Sequence, residues 1–162
     1  MSYEQGLVEA YQGEVYGLAL YRGIAAAQRN ADHAGKWRAI AKLEIVMKEA
    51  LAPVLKRRGI PTADDPAYEA QGRMEISEYA VMSWPALMER FGAELDEDIV
   101  RYGDLLNVAP VEDRAALELL VEHEVAVQNF CALETQGLDD RALEPVLEII
   151  AKIEAFNAKT AD

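Results

Sequence analysis

The most constraining feature of this 162-residue chain is a helical pattern of apolar residues that recurs in four long stretches. In each stretch, apolar side chains return every three or four residues, which places them on one face of an α-helix. The four helices are predicted at about residues 2–30, 33–58, 85–107 and 111–136. No stretch alternates apolar and polar residues over a useful length, so no β-strand is predicted.

Short breaks rich in Gly, Pro, Asn and Asp separate these stretches. Asn30 or Asp32 is predicted to cap the second helix, and Ser83 is predicted to cap the third long helix, with Pro85 in its first turn. Pro53 stands near the end of the second helix and is a candidate position for a kink.

Two further helices complete the predicted architecture. A shorter helix covers about residues 67–82, and a fifth helix begins in the segment LDDRALEP and runs to about residue 157, after Gly137 has closed the fourth. Long amphipathic helices with short breaks predict an all-α four-helix bundle made of two helix hairpins, with the fifth helix packed outside. No linker divides the chain, so residues 1–162 are predicted to form a single domain.

Composition excludes several functional classes. The net charge of −13 disfavours binding to nucleic acid or to anionic membrane surfaces. No apolar run approaches the roughly 20 residues that span a bilayer, and the first residues do not resemble a secretory signal. Cys131 is the only cysteine, so a reducing cytoplasm is expected and no internal disulfide can form. One Cys and two His also exclude Cys/His zinc sites.

Three glutamates interrupt the apolar stripes of the long helices: Glu14, Glu44 and Glu124. Their spacing indicates a weak internal repeat, because Glu44 follows Glu14 by 30 residues and Glu124 follows Glu94 by the same interval. The repeat adds Glu94, on the third long helix, to the candidate set. Asp98 is an equally placed candidate on that helix, since Glu94 lies on the flank of its apolar stripe.

Carboxylates converging in a bundle core would cost several kcal/mol each unless they are compensated. The sequence offers three kinds of compensation. A pair of metal ions could neutralise them, some could remain protonated with raised pKa values, or basic side chains could pair with them. The basic candidates are Arg22, Lys42, Lys48 and Arg101.

Three segments resemble the ferritin-like superfamily of carboxylate-bridged di-metal proteins, which includes rubrerythrins and aldehyde-deformylating oxygenases. GEVYGLALYRGIA is similar to the first site helix, AKLEIVMKEAL to the second and HEVAVQNF to the fourth. The resemblance implies a ferritin-like four-helix bundle, two iron or manganese ions and oxygen-activating chemistry. It also implies that Glu14, Glu44, Glu94 and Glu124 are the metal ligands, since the family uses one Glu from each of two helices and Glu-x-x-His from each of the others.

The chain departs from the family pattern at both histidines. Met47 and Val127 stand where Glu-x-x-His would place the imidazoles. A histidine-poor site is therefore expected, with Tyr21 and Met47 beside the ligands, or else a degenerate site that binds no metal. His123 precedes Glu124 and, because one residue turns a helix by about 100°, it is predicted to lie at the bundle boundary or surface rather than to be a ligand.

Three functional hypotheses follow. The first is a di-metal oxidoreductase with a histidine-poor site. The second is a metal-free bundle that acts as a structural or protein-interaction module, and the third is a bundle whose core holds a small apolar or cationic ligand. A homodimer is a further prediction, because ferritin-like bundles often dimerise.

Overall fold

The computed structural model describes residues 2–161, and nearly all of them are helical. The helices are α1 Tyr3–Ala27, α2 Ala31–Arg57, α3 Pro66–Ala80, α4 Trp84–Asn107, α5 Arg114–Thr135 and α6 Glu144–Thr160, with a short 3₁₀ helix Asp139–Arg141 before α6. The predicted all-α class is confirmed, and residues 2–161 contain no strand. Within the same residues, no helix combines the length and apolar character needed to cross a membrane.

Local signals explain several helix ends. The side chain of Asn30 accepts hydrogen bonds from backbone N–H groups in the first turn of α2, which selects Asn30 over Asp32 as the cap. Ser83 caps α4 in the same way. Gly137 follows α5 with a φ of 75°, a left-handed conformation that glycine adopts without strain. Pro53 lies inside α2, whose helix continues beyond it.

The directions of the helices follow from contacts at one end of the bundle. α1 and α2 form one antiparallel hairpin, and α4 and α5 form a second. The start of α1, the end of α2 and the start of α5 meet where Tyr3 and Arg58 both donate hydrogen bonds to Asp113. The end of α4 reaches the same place, because Leu105 packs against Gly6. α1 and α5 therefore run in one direction and α2 and α4 in the other, so one long crossover must join the hairpins.

The crossover between the hairpins contains α3, which packs along α1. The hydroxyl of Tyr16 on α1 donates a hydrogen bond to Glu75 on α3. On the opposite side, α6 packs across α2 and α5, where Asn157 Nδ2 donates to the carbonyl oxygen of Val46 at 3.0 Å. α1 and α4 touch each other only sparsely. The space left between them, partly covered by α3, contains the candidate site.

The approach of α3 to α1 depends on Gly72. A Cβ at this position would lie 2.5 Å from the carbonyl oxygen of Tyr16 and 3.1 Å from the Cβ of Ala19. We expect Gly72→Ala to lower the free energy of unfolding by about 1–2 kcal/mol, measured by urea unfolding, because the methyl group forces two backbones apart.

Gly103→Ala, on α4, is the matched control for Gly72→Ala. A Cβ at Gly103 would meet no atom within 4 Å. This substitution should therefore raise stability by up to about 1 kcal/mol through helix propensity alone. An equal gain from Gly72→Ala would contradict the close packing of α3 on α1.

Candidate metal centre

A cavity of about 430 Å³ lies between α1, α3 and α4 and extends inward to α2 and α5. Besides the half-buried Glu9 at its edge, four carboxylate side chains line it, those of Glu14, Glu44, Asp98 and Glu124. Each comes from a different long helix of the bundle. The structure therefore brings together the three glutamates that the apolar stripes singled out, and adds one acid from α4.

The centre of the cluster is formed by Glu14, Glu44 and His123. One ligand atom from each of these side chains lies within 4.8 Å of the other two. His123 Nε2 is 2.7 Å from Glu44 Oε1 and 3.7 Å from Glu14 Oε2. The three residues are buried, with exposed fractions of 1% for Glu14, 4% for Glu44 and 2% for His123. Helices α1, α2 and α5 thus place two carboxylates and an imidazole close together in the protein interior.

Glu124 extends this cluster on α5. Its Oε1 atom lies 3.5 Å from His123 Nδ1, and the residue is only 7% exposed. His123 is therefore flanked by carboxylates on both ring nitrogens. Two buried polar atoms in the cluster, Glu14 Oε2 and His123 Nδ1, have no hydrogen-bond partner. Unpartnered buried oxygen and nitrogen atoms are costly, and a cation held by Glu14, Glu44 and His123 Nε2 would satisfy Glu14 Oε2.

The lysine and arginine candidates do not pair with the three glutamates of the cluster. Within residues 2–161, Lys42 pairs with Glu154 and Lys48 pairs with Asp64, both away from the cavity. Arg101 lines the cavity but pairs with Asp98. The fourth candidate, Arg22, is exposed on α1. Compensation by Lys or Arg, one of the three kinds predicted, is therefore not found at Glu14, Glu44 or Glu124 in the described part of the chain.

Protons compensate the cluster when no cation is bound. Burial raises the pKa of Glu14 well above its ordinary value, and the neighbouring Glu44 carboxylate raises it further. Burial also raises the pKa of Glu124 to about 8. Burial opposes a charge on His123, but the surrounding carboxylates, of which Glu14 contributes most, raise the pKa of the imidazole well above its ordinary value. At neutral pH the cluster therefore retains protons that exposed side chains of the same types would release.

The position of His123 corrects the prediction that it lies at the boundary or surface. The prediction treated α5 as a helix with one narrow buried face. In the structure α5 packs against α2, α4 and α6, so a wide face of it is buried. A second apolar stripe in the sequence indicates this face, and His123 lies in the middle of it. The stripe consists of Ala116, Leu119, His123, Ala126 and Phe130.

Glu94 is not brought to the cavity, and Asp98 takes its place on α4. Glu94 accepts hydrogen bonds from the hydroxyl of Tyr79 and from Arg90 Nε, both at 2.8 Å, and its side chain is 41% exposed. The prediction of Glu94 from the 30-residue spacing assumes that the two helices of each hairpin are aligned in the same way. Tyr102 packs against Gly13, so the level of Glu14 is reached further along α4 than the repeat implies.

The two residues expected beside the ligands differ in their placement. Tyr21 lines the cavity with the glutamates, whereas Met47 is fully buried in the hydrophobic core. Gly17 is a further contributor that the sequence reasoning missed. A Cβ at Gly17 would lie 2.1 Å from Glu44 Oε2, so only glycine leaves room for this carboxylate. The signal was present in the sequence, since Gly17 stands one turn after Glu14.

We found no match between this chain and any protein-family model, curated protein or solved structure. Function must therefore be inferred from the chemistry of the cluster. Three carboxylates and one imidazole form an oxygen-rich donor set of the kind that suits Mn²⁺ and Fe²⁺. Glu14, Glu44 and His123 could hold one ion, and Glu124, beside the other ring nitrogen of His123, could contribute to a second.

Proposed function

We propose that this chain is a ferritin-like metal-binding protein whose carboxylate–histidine cluster holds iron or manganese and serves an oxidoreductase-type function. One observation carries the proposal. Glu14, Glu44 and His123, from three helices, are almost fully buried with their ligand atoms within 4.8 Å of one another, and no Lys or Arg pairs with them in residues 2–161. Burying such a set is expensive unless protons or a cation compensate its negative charge.

The arrangement of the helices supports the ferritin-like part of the proposal. Ferritin-like bundles have two hairpins joined by one long crossover, with ligands that project inward from facing helices. This bundle has the same helix directions, and its crossover contains α3. The ligand candidates come from α1, α2 and α5, at the middle of the bundle.

The chain lacks the Glu-x-x-His pattern, but His123 supplies an imidazole from a different sequence position. His123 precedes its neighbouring glutamate by one residue instead of following it by three. Its Nε2 atom already contacts two of the carboxylates. When bound in such a site, iron or manganese supplies one-electron redox chemistry toward oxygen. The residues of the chain would hold the ion, exclude bulk water from it and give up protons as it binds.

A metal-free role is the second candidate, and the hydrogen bond between His123 and Glu44 favours it. At 2.7 Å this contact is a charge-assisted pair that partly compensates the buried charge without a cation. In that case the cluster is a proton-holding core of a structural or interaction module. The unpartnered atom Glu14 Oε2 weighs against this alternative.

Metal content decides between the two candidates. We expect the untagged protein, expressed with iron and manganese supplied and purified without chelator, to contain at least one ion per chain by mass spectrometry. Adding Mn²⁺ to metal-free protein in weak buffer should release protons, because the ion displaces them from the buried cluster. Well under one ion per chain, together with no proton release, would contradict the metal-binding function and leave the metal-free module.

A further inference from the structure

An aromatic stack connects the carboxylate cavity to the protein surface. Tyr21, which lines the cavity, stacks on Trp37 with ring centroids 5.6 Å apart. Trp37 meets Trp84 edge to face at 6.3 Å. Trp84 is only half-buried, and the ring of His33 stacks on it at 3.7 Å. Three side chains that can each lose one electron therefore lie in sequential contact from the interior to solvent.

The N–H groups of the two tryptophans differ in whether a hydrogen-bond acceptor is present. Trp84 Nε1 donates a hydrogen bond of 2.8 Å to Glu134 Oε2, so a carboxylate is in place to take its proton. The Glu134 carboxylate is in turn paired with the buried Lys36. Trp37 is fully buried, and its Nε1–H has no acceptor. A Trp37 that lost an electron would keep its proton and would be reduced again by a neighbouring ring. Trp84 can release its proton to Glu134, and Tyr21 lines a cavity that also contains carboxylates.

Packing alone does not account for Trp37. Phe91 contacts both Tyr21 and Trp37, and Phe130 contacts Trp84, so phenylalanine is already used where only volume is needed. An indole at position 37 buries an N–H group without a partner, which is destabilising relative to a satisfied group. An unsatisfied group in a native interior calls for an explanation, and a redox role is one of the recognised ones.

We infer that Tyr21, Trp37 and Trp84 form a path for single electrons between the cavity and the surface around Trp84. With a one-electron oxidant at the surface, Trp84 loses an electron to it and its Nε1 proton to Glu134. An electron then passes from Tyr21 through Trp37 to Trp84, which recovers its proton. Tyr21 is left as a neutral radical whose hydroxyl proton has gone to a cavity carboxylate, and the oxidant is reduced by one electron.

In the opposite sense, the path delivers an electron from a donor at the surface to an oxidant in the cavity. That use of the path depends on the proposed metal function, but the path itself does not. It can therefore be tested in metal-free protein. Failure of metal binding would then leave the test unaffected, and failure of electron transfer would leave the metal proposal standing.

The test uses a photo-generated tris(bipyridine)ruthenium(III) complex, a bulky one-electron oxidant, with a cobalt(III) ammine quencher and metal-free protein. Transient absorption should show an indolyl radical that converts to a tyrosyl radical. In Tyr21→Phe the indolyl radical should persist and the tyrosyl yield should fall at least about threefold. In Trp37→Phe the conversion should slow at least about tenfold, because the middle member of the stack can no longer be oxidised.

Tyr68→Phe is the matched control, because Tyr68 also lines the cavity but makes no contact with the stack. It should convert at the wild-type rate and yield. Thermal unfolding verifies that Trp37→Phe folds, and the conservative Tyr21→Phe variant keeps the test decisive if it does not. A wild-type tyrosyl yield in Tyr21→Phe, or a wild-type conversion rate in a folded Trp37→Phe, would overturn the path.

Discussion

Replacing Glu44 with glutamine is expected to weaken Mn²⁺ binding by at least about 100-fold, since altering even the outer partners of a metal ligand costs 10–100-fold. Glu44 occupies the centre of the cluster, with Oε1 2.7 Å from His123 Nε2. Glutamine keeps the shape of the side chain and removes its charge. The measurement is isothermal titration calorimetry of metal-free protein with Mn²⁺, with metal content by mass spectrometry as a second readout.

The matched control for Glu44→Gln is Glu94→Gln, which makes the same chemical change on α4. Glu94 pairs with Arg90 and Tyr79 away from the cavity. Its substitution should change the affinity for Mn²⁺ by less than about twofold, as expected for a partly exposed charge in salt-containing solvent. An equal loss in both variants would mean that Mn²⁺ responds to the overall negative charge of the protein. Full affinity in Glu44→Gln would show that the cluster is not the binding site.

The same pair of residues shows which parts of the site were predictable from sequence. Glu44 was identified because a carboxylate in an apolar stripe is a local signal that one helix carries by itself. Glu94 enters through a 30-residue spacing, which assumes a register between two helices, and Asp98 stands beside it as an equally placed candidate. Register between helices is fixed by non-local packing, here by Tyr102 against Gly13, and the sequence contains no direct record of it. Of the two candidates, the structure places Asp98 at the cavity, about one helical turn beyond Glu94.

For the fold, too, local features could be predicted from the sequence and non-local ones could not. Helix type, number and caps were predictable, because periodicity and residues such as Asn30 and Ser83 act within a few positions. Periodicity alone does not give the direction of the second hairpin, since it depends on where the crossover returns the chain. His123 was misplaced because the number of helices packed on α5 determines how much of its surface is buried. Burial of that kind is a property of the assembled bundle.

The second large effect concerns pH and Glu124. Burial raises the pKa of Glu124 to about 8 in the folded protein, whereas in the unfolded chain it ionises at about 4.3. Between these values the unfolded state loses its proton and the folded state keeps it. The free energy of unfolding of metal-free protein should therefore fall as pH rises from about 5 to 8, by up to about 1.4 kcal/mol per pH unit from this group.

Glu124→Gln isolates this contribution, because glutamine is close in shape to the protonated acid and does not ionise. Near pH 5 the variant and the wild type should be almost equally stable. Near pH 8 the metal-free variant should be more stable than the wild type by a few kcal/mol, the order expected when a buried carboxylate must ionise. Urea unfolding at several pH values measures this difference. The pKa values of Glu14 and His123 are also raised. These two groups therefore lower the stability of the variant and of the wild type alike as pH rises.

Glu118→Gln supplies the control for Glu124→Gln, since Glu118 is an exposed acid on the same helix. Its difference from the wild type should not change with pH. Saturating Mn²⁺ should reverse the order at pH 8, because the ion stabilises the ionised wild-type cluster and the variant has lost a carboxylate ligand. A stability difference that stays flat between pH 5 and 8 in metal-free protein would mean that Glu124 ionises like a solvated carboxylate. The cavity would then be too wet to hold protons for a cation to displace.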